Sequence, residues 1–335
     1  MRPVLSACFA LVLAACATPL DNMPPHHSPS GFRNPHNADP HGGRELLKFL
    51  WRWYTEPWTP VDFPLRRPDS AALRAPDAQQ LTWIGHSTFL IQSPGLNVLT
   101  DPHLSQRASP VGFAGPQRLV PPALDFAGLP PIHAVLISHD HYDHLDLPTV
   151  RRLAAEHAPQ FFVPLGLKAL LEREGIGRVT ELDWWQSATG TDYTVTAVPV
   201  QHFSGRGAFD RNRSLWAGFV LEVQGRRVFF AGDTGYSPDF AEIGRRFAPL
   251  DLSLIPIGAY DPRSFMQPMH VNPEEAVQIH RDLGSRQSYA MHWGTFRLTL
   301  EPLDEPPRRL RAALDAAGLA PEAFQVLQHG QTRPW

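Results

Sequence analysis

The sequence predicts a mixed α/β domain, and three observations carry that prediction. The apolar run Ala134-Val135-Leu136-Ile137 has the length of a short buried strand and leads directly into Ser138-His139-Asp140-His141-Tyr142-Asp143-His144. Three later runs repeat the arrangement: Thr194 to Val200 ends in Gln201-His202, Arg227 to Gly232 in Asp233, and Ser288 to Met291 in His292. Helical stretches alternate with these strands after residue 147. Imidazole and carboxylate donors at this density suit zinc. In an extended loop His139 and His141 point the same way, leaving Asp143 and His144 to face a second ion. A polar surface loop with some histidines is the plain alternative, but the H-x-H-x-D-H spacing is more specific than that.

Taken in order, the chain opens with Met1-Arg2, an apolar stretch from Val4 to Leu13, and Ala14-Ala15-Cys16, which together describe an export signal too short to span a membrane. Leu13-Ala14-Ala15-Cys16 also resembles the bacterial lipobox, so residues 1–15 are expected to be removed and Cys16 lipidated. Both cysteines of the chain, Cys8 and Cys16, fall in this segment, so the rest has neither disulfide nor thiolate ligand. The formal net charge of -3, one unit more negative without Arg2, argues against a nucleic-acid partner. Residues 16–43 are rich in Pro, His, Asn and Gly and read as a flexible tether, with His26, His27, His36 and His41 solvated.

Residues 44–80 form an amphipathic and extended segment before the main domain, 81–335. Within it, Leu46, Leu47, Leu50 and Trp53 share one face of a helix over 44–54, while Arg44, Lys48 and Arg52 form a basic stripe. Such a helix can pack on the domain, lie on a membrane interface, or do both. Leu81 to Ile91, a Ser93-Pro94-Gly95 turn and Val98 to Asp101 read as antiparallel strands. After the ligand-rich loop come a helix from Pro148 to His157, a strand at Phe161 to Val163, a helix from Leu165 to Glu174 and a strand from Val179 to Leu182. Further on are a helix from Asp239 to Phe247, a strand from Leu252 to Ile257, a helix capped by Asn272 and running to about Leu283, and a last one from Glu305 to Ala317.

The motif His139-Asp140-His141-Tyr142-Asp143-His144 resembles the signature of the metallo-β-lactamase superfamily. That resemblance implies an αββα sandwich and two zinc ions: His139, His141 and His202 on one, Asp143, His144 and His292 on the other, with Asp233 between them. His86 and Asp101, in G-H-x-T and T-D-P elements, are expected behind the ligands rather than among them.

Flanking blocks narrow the resemblance. Glu181-Leu182-Asp183-Trp184-Trp185, Phe229 to Tyr236, Ile255 to Tyr260 and Ala290 to Phe296 look like the N-acyl-phosphatidylethanolamine-hydrolysing phospholipase D family, over about Gly31 to Gly330. The family's reaction implies hydrolysis of a lipid phosphodiester, with Asp143 orienting the nucleophile and His270 positioning substrate or protonating the leaving group. Arg206, Arg211 and Arg213, in a loop that departs from the eukaryotic enzymes, and Tyr260 are candidates for substrate contact. The expected partners are a phospholipid and the membrane surface, reached through Cys16 and helix 44–54, with a homodimer left open. The expected place is the periplasmic side of a bacterial envelope, at the outer membrane. A lactonase or other small-molecule hydrolase on the same site and a non-catalytic lipid-binding lipoprotein are the competing readings.

Overall fold

The computed structural model describes residues 23–36 and 43–335, so the export signal, Cys16 and His41 lie outside the described residues. Two seven-stranded sheets make the body. In spatial order the first holds Thr332–Pro334, Gln80–Gly85, Thr88–Ser93, Leu96–Thr100, Ala134–Leu136, Gln160–Pro164 and Val179–Leu182. The second holds Phe324–Gln325, Ser288–Met291, Leu252–Pro256, Arg226–Phe230, Gly218–Val223, Tyr193–Val198 and Ser187–Thr189. Each sheet is antiparallel where hairpins join its strands and parallel where helices, or in one case the long loop 101–133, intervene.

Side-chain alternation builds the layers. In the strand Ala134–Leu136 and the residue after it, Ala134 and Leu136 point between the sheets, joining Trp83, Phe89, Phe219 and Phe229. Val135 and Ile137 point outward and pack with Phe161, Val163 and the helix residues Val150, Leu153 and Leu171. Helices Asp239–Phe247, Pro273–Asp282 and Glu305–Ala316 cover the second sheet through Phe240, Ile243, Ala276, Ile279, Leu310 and Leu314. Fully burying one such side chain contributes roughly 1.5–3 kcal/mol. The arrangement is the αββα sandwich that the motif implies.

Asn272 accepts from the Glu275 N–H while Glu275 reaches back to Asn272, a capping box that starts its helix at the expected residue. Two expectations need correction. Residues 23–36, read as a solvated tether, include a short hairpin, His27–Ser28 with Gly31–Phe32, and His26 in it is buried. The helix Gly43–Thr55 exists, but its faces are assigned differently. Trp53 lies under Arg297 and Phe49 stacks on Phe265, while Leu46, Leu47, Leu50, Trp51 and Tyr54 are exposed. Arg52 is paired with Glu56 at 2.5 Å, so the basic stripe is not wholly free for phosphates. Among the described residues no helix is long and apolar enough to cross a membrane.

Candidate metal centre

The strands Ala134–Leu136, Tyr193–Val198, Arg226–Phe230 and Ser288–Met291 deliver their following loops to the same place, where two groups of donors converge. His139, His141 and His202 make one; His86, Asp143, His144 and His292 make the other. Asp233 stands between them, its Oδ2 3.1 Å from His144 Nε2, 3.0 Å from His292 Nε2 and 3.8 Å from His202 Nε2. The residue before it, Gly232, has φ +60°, and a Cβ there would lie 2.4 Å from Ser138 Cβ, so glycine lets the two ligand loops meet.

Asp101 is the support beneath the motif. Its carboxylate accepts from Ser138 N at 2.7 Å, Ser138 Oγ at 2.6 Å and His144 Nδ1 at 2.6 Å. Because Ser138 Oγ gives its proton to Asp101, it accepts from His139 Nδ1 at 2.9 Å. His202 Nδ1 donates to the Met269 carbonyl at 3.0 Å. In His139 and His202 the outer nitrogen is therefore the donor and the inner one carries a bare lone pair, as a metal ligand requires, while His144, donating through Nδ1, turns its Nε2 toward Asp233. His86, Asp101 and His292 all have positive φ, at 54°, 32° and 58°, conformations that cost on the order of 1–3 kcal/mol each and cluster here.

The donor set fits metal ions. His139 Nε2 lies 2.9 Å and His202 Nε2 3.2 Å from the same His141 Nδ1, and one N–H cannot satisfy two lone pairs, whereas a cation can. Asp233 Oδ1 and His270 Nδ1 are buried with no hydrogen-bond partner, an expensive arrangement for polar atoms in a protein interior. Burial pushes His139, His141 and His202 below the ordinary imidazole range. Burial acts the same way on His144 and His292, but Asp233 and Asp143 outweigh it: His144 is held well above that range and His292 is pushed up to about 9. Those two carboxylates are held well below their usual range, because the adjacent histidines overcome the effect of burial.

The other expected site residues divide. His270 joins the centre, its Nδ1 3.9 Å from Asp233 Oδ2, and burial pushes it down to about 4. Arg211 lies over the Phe203 ring at 4.2 Å, and that ring meets His141 at 4.4 Å, so it borders the site; Arg213 is exposed on the same loop. Arg206 is committed elsewhere: its guanidinium stacks on Tyr142 and donates to the Asp140 and Leu145 carbonyls at 2.6 and 3.0 Å. Tyr260 is buried, gives its hydroxyl to Glu305 at 2.6 Å and is covered by Arg309, so it braces the wall rather than facing a substrate. His86, expected behind the ligands, has Nε2 3.0 Å from Asp143 Oδ2 and belongs to the second group. Asp140, given no role from sequence, accepts from Gly205 N at 2.7 Å and Ser214 Oγ at 2.8 Å, bolting the motif to the loop after His202. Its place between His139 and His141 was the only available signal.

Comparison with known proteins agrees with this geometry. The model of the β-lactamase superfamily domain matches residues 96–293. An uncharacterised Mycobacterium tuberculosis protein is 44% identical over 283 residues, 81% of this chain and 74% of its own length. The Caenorhabditis elegans N-acyl-phosphatidylethanolamine-hydrolyzing phospholipase D 1 is 38% identical over 309 residues, 85% of this chain and 86% of that enzyme. Among solved structures, Igni18, a metallo hydrolase from the archaeon Ignicoccus hospitalis, superposes with a TM-score of 0.58 at 20% identity, covering 77% of this chain and 98% of that one. The converging donors, the two-sheet sandwich and these relatives together identify the chain as a metal-dependent hydrolase of the metallo-β-lactamase superfamily, with N-acyl-phosphatidylethanolamine-hydrolysing phospholipases D among its homologues.

Proposed function

We propose that this chain is a dizinc lipid phosphodiesterase that hydrolyses N-acyl-phosphatidylethanolamine to N-acylethanolamine and phosphatidate. The observation that carries the reading is the convergence of His139, His141, His202, Asp143, His144, His292 and Asp233 in a chain so similar to enzymes named for that reaction. His139, His141 and His202 would hold one ion and Asp143, His144 and His292 the other, with Asp233 reaching both. When bound, the ions supply a nucleophile from water at neutral pH and offset charge on the phosphoryl oxygens. Asp143, whose Oδ2 is held by His86 and His292, would orient the attacking water. His270 would offer its unpartnered Nδ1 to a phosphoryl or leaving-group oxygen. Arg211 and Arg213 would meet the head group, while Arg206 keeps their loop in place.

The test is mass spectrometry of the products formed when zinc-loaded protein meets a mixed lipid extract. N-acylethanolamine and phosphatidate should accumulate together. Turnover of a lactone with no change in the lipids would transfer the site to small-molecule hydrolysis, and no turnover of either would leave a lipid-binding lipoprotein.

The same reading places the enzyme on the periplasmic side of a bacterial envelope membrane, held by lipid on Cys16 and touching the surface with the exposed Leu46, Leu47, Leu50, Trp51 and Tyr54. Each apolar side chain that enters the interface contributes roughly 1.5–3 kcal/mol. Leu47→Glu with Trp51→Glu should therefore cut turnover of vesicle-borne lipid by at least about tenfold, one decade being about 1.4 kcal/mol, and spare a short soluble phosphodiester. Equal losses on both substrates would make the helix a structural element. Cys16→Ser should leave the protein in the soluble fraction, and a wild type already wholly soluble would refute the tether.

A further inference from the structure

Residues 23–36 are fastened to the domain at both ends. At the first, His26 Nε2 and His27 Nε2 each meet one oxygen of the Asp183 carboxylate, at 2.6 and 2.8 Å, and the His26 ring stacks on Trp184 at 4.2 Å. Two imidazoles and a carboxylate could also hold a metal. The pairing decides against it: each imidazole meets its own carboxylate oxygen at the length of a charge-assisted hydrogen bond, whereas in the metal centre the one oxygen Asp233 Oδ2 faces three imidazole nitrogens. In the metal centre, by contrast, imidazole nitrogens crowd one another at 2.9 and 3.2 Å. The His26-His27-Asp183 cluster is a hydrogen-bonded clasp.

From the clasp the hairpin runs to the loop that carries His202. It closes through His27 N to the Pro24 carbonyl at 2.9 Å and Arg33 N to the His26 carbonyl at 2.8 Å. At the start of its second strand Gly31 has φ +142°, and a Cβ there would fall 2.0 Å from the Asn212 carbonyl oxygen, so a side chain would push the hairpin off the loop. Phe32 N then donates to that same oxygen at 2.7 Å. Asn212 N is itself bonded to the Ser204 carbonyl at 3.0 Å, which ties the contact to the start of the loop. Two residues on, Asn34 Nδ2 donates to the main-chain carbonyl of His202 at 2.7 Å.

We infer that residues 23–36 are an intramolecular strap holding the loop 202–214, and that Asn34 is a positioning residue for His202. This inference rests on His202 holding metal, as proposed above. Met269 fixes the ring of His202 through Nδ1 and Asn34 fixes its backbone, so the direction of the Nε2 lone pair is set from two sides.

Hydrogen exchange and metal affinity on the full chain test this. Asn34→Asp keeps the size but removes the donor, and Asp183→Ala opens the clasp. Both should raise exchange in peptides spanning 202–214 about fivefold or more, the worth of one ordinary hydrogen bond. Both should also weaken zinc binding at the His139, His141 and His202 group by a similar factor, measured against a competing chelator, while exchange around His292 stays as in the wild type. Asn34→Gln, which keeps the amide, should recover part of the affinity. The strap is overturned if peptides over 23–36 exchange freely in the wild type, or if Asn34→Asp leaves both readouts unchanged. If the wild type takes up no zinc, the proposed function and the positioning role of Asn34 fall, and exchange alone decides whether the strap exists.

Discussion

The two donor groups of the metal centre sit within one polar cluster and yet differ in protonation. His139, His141 and His202 are three imidazoles driven toward the neutral form by burial. His144 and His292 are just as buried, but Asp143 and Asp233 keep them protonated and are themselves kept ionised. One group is a set of lone pairs ready for a cation; the other is a buried network of ion pairs that a cation must displace. Burial alone decides neither: His144 and His292 each face both Asp143 and Asp233 and are raised, whereas His86, 3.0 Å from Asp143, is held well below the ordinary range by burial and the neighbouring His292. Asp233 Oδ2 faces the inner nitrogens of both groups, at His144 and His292 on one side and His202 on the other.

Asp233→Asn should therefore disturb both groups most strongly. The amide retains shape but loses the charge that both groups share, so both metal affinities should fall. Activity should drop at least about a thousandfold, since several kcal/mol of charge stabilisation are at stake and 1.36 kcal/mol is one decade. Elemental analysis beside rate measurement reads it. If only the ion of the His144 and His292 group is lost, Asp233 belongs to that group, and the 3.8 Å separation from His202 is then a true gap.

A smaller effect is expected one layer out. Asp101 accepts from His144 Nδ1 directly but reaches His139 only through Ser138 Oγ. In Asp101→Asn one of the opposing donors, Ser138 N–H or His144 Nδ1–H, must face an NH2 group, which favours the wrong tautomer of His144. Metal affinity should fall about 10- to 100-fold, more steeply at the His144 group than at the His139 group. Stepwise metal loss to a chelator would show it, and equal losses at both groups would mean that Asp101 supports the loop as a whole.

Much of this was legible in the chain because it is local. The strand Ser288–Met291 and the helix Asp239–Phe247 fall at the residues that periodicity gives, and the ligand motif is contiguous. What stayed hidden depends on contacts between distant residues. His86 meets Asp143 across 57 positions and His26 meets Asp183 across 157, and neither pairing leaves a trace in composition or period. A segment poor in apolar residues reads as a tether, yet a few well-made hydrogen bonds and one aromatic stack dock it. Amphipathicity announced the helix Gly43–Thr55 but misassigned Trp53, because Phe49 and Trp53 find Phe265 and Arg297 on the domain while Leu46, Leu47 and Leu50 stay exposed. Arg206 and Tyr260 looked available as residue types and prove to be spent on Asp140, Leu145 and Glu305.

The two groups should also differ in the protons they release. His144 and His292 have folded pKa values above the ordinary 6.5, so at pH 7 they carry protons that must leave before their nitrogens can bind a cation. His139, His141 and His202 lie below 6.5 and have none to lose. Zinc entering the carboxylate-bearing group should therefore release about one to two protons, and zinc entering the imidazole group close to zero. His202→Ala and His292→Ala, each leaving one group whole, separate the two steps, and calorimetry in buffers of different ionisation enthalpy counts the protons. The release should shrink as pH rises through about 9, where His292 gives up its proton unaided. Equal release from the two variants at pH 7 would mean that the carboxylates do not divide the centre in this way, and the two groups would have to be treated as a single basin of charge.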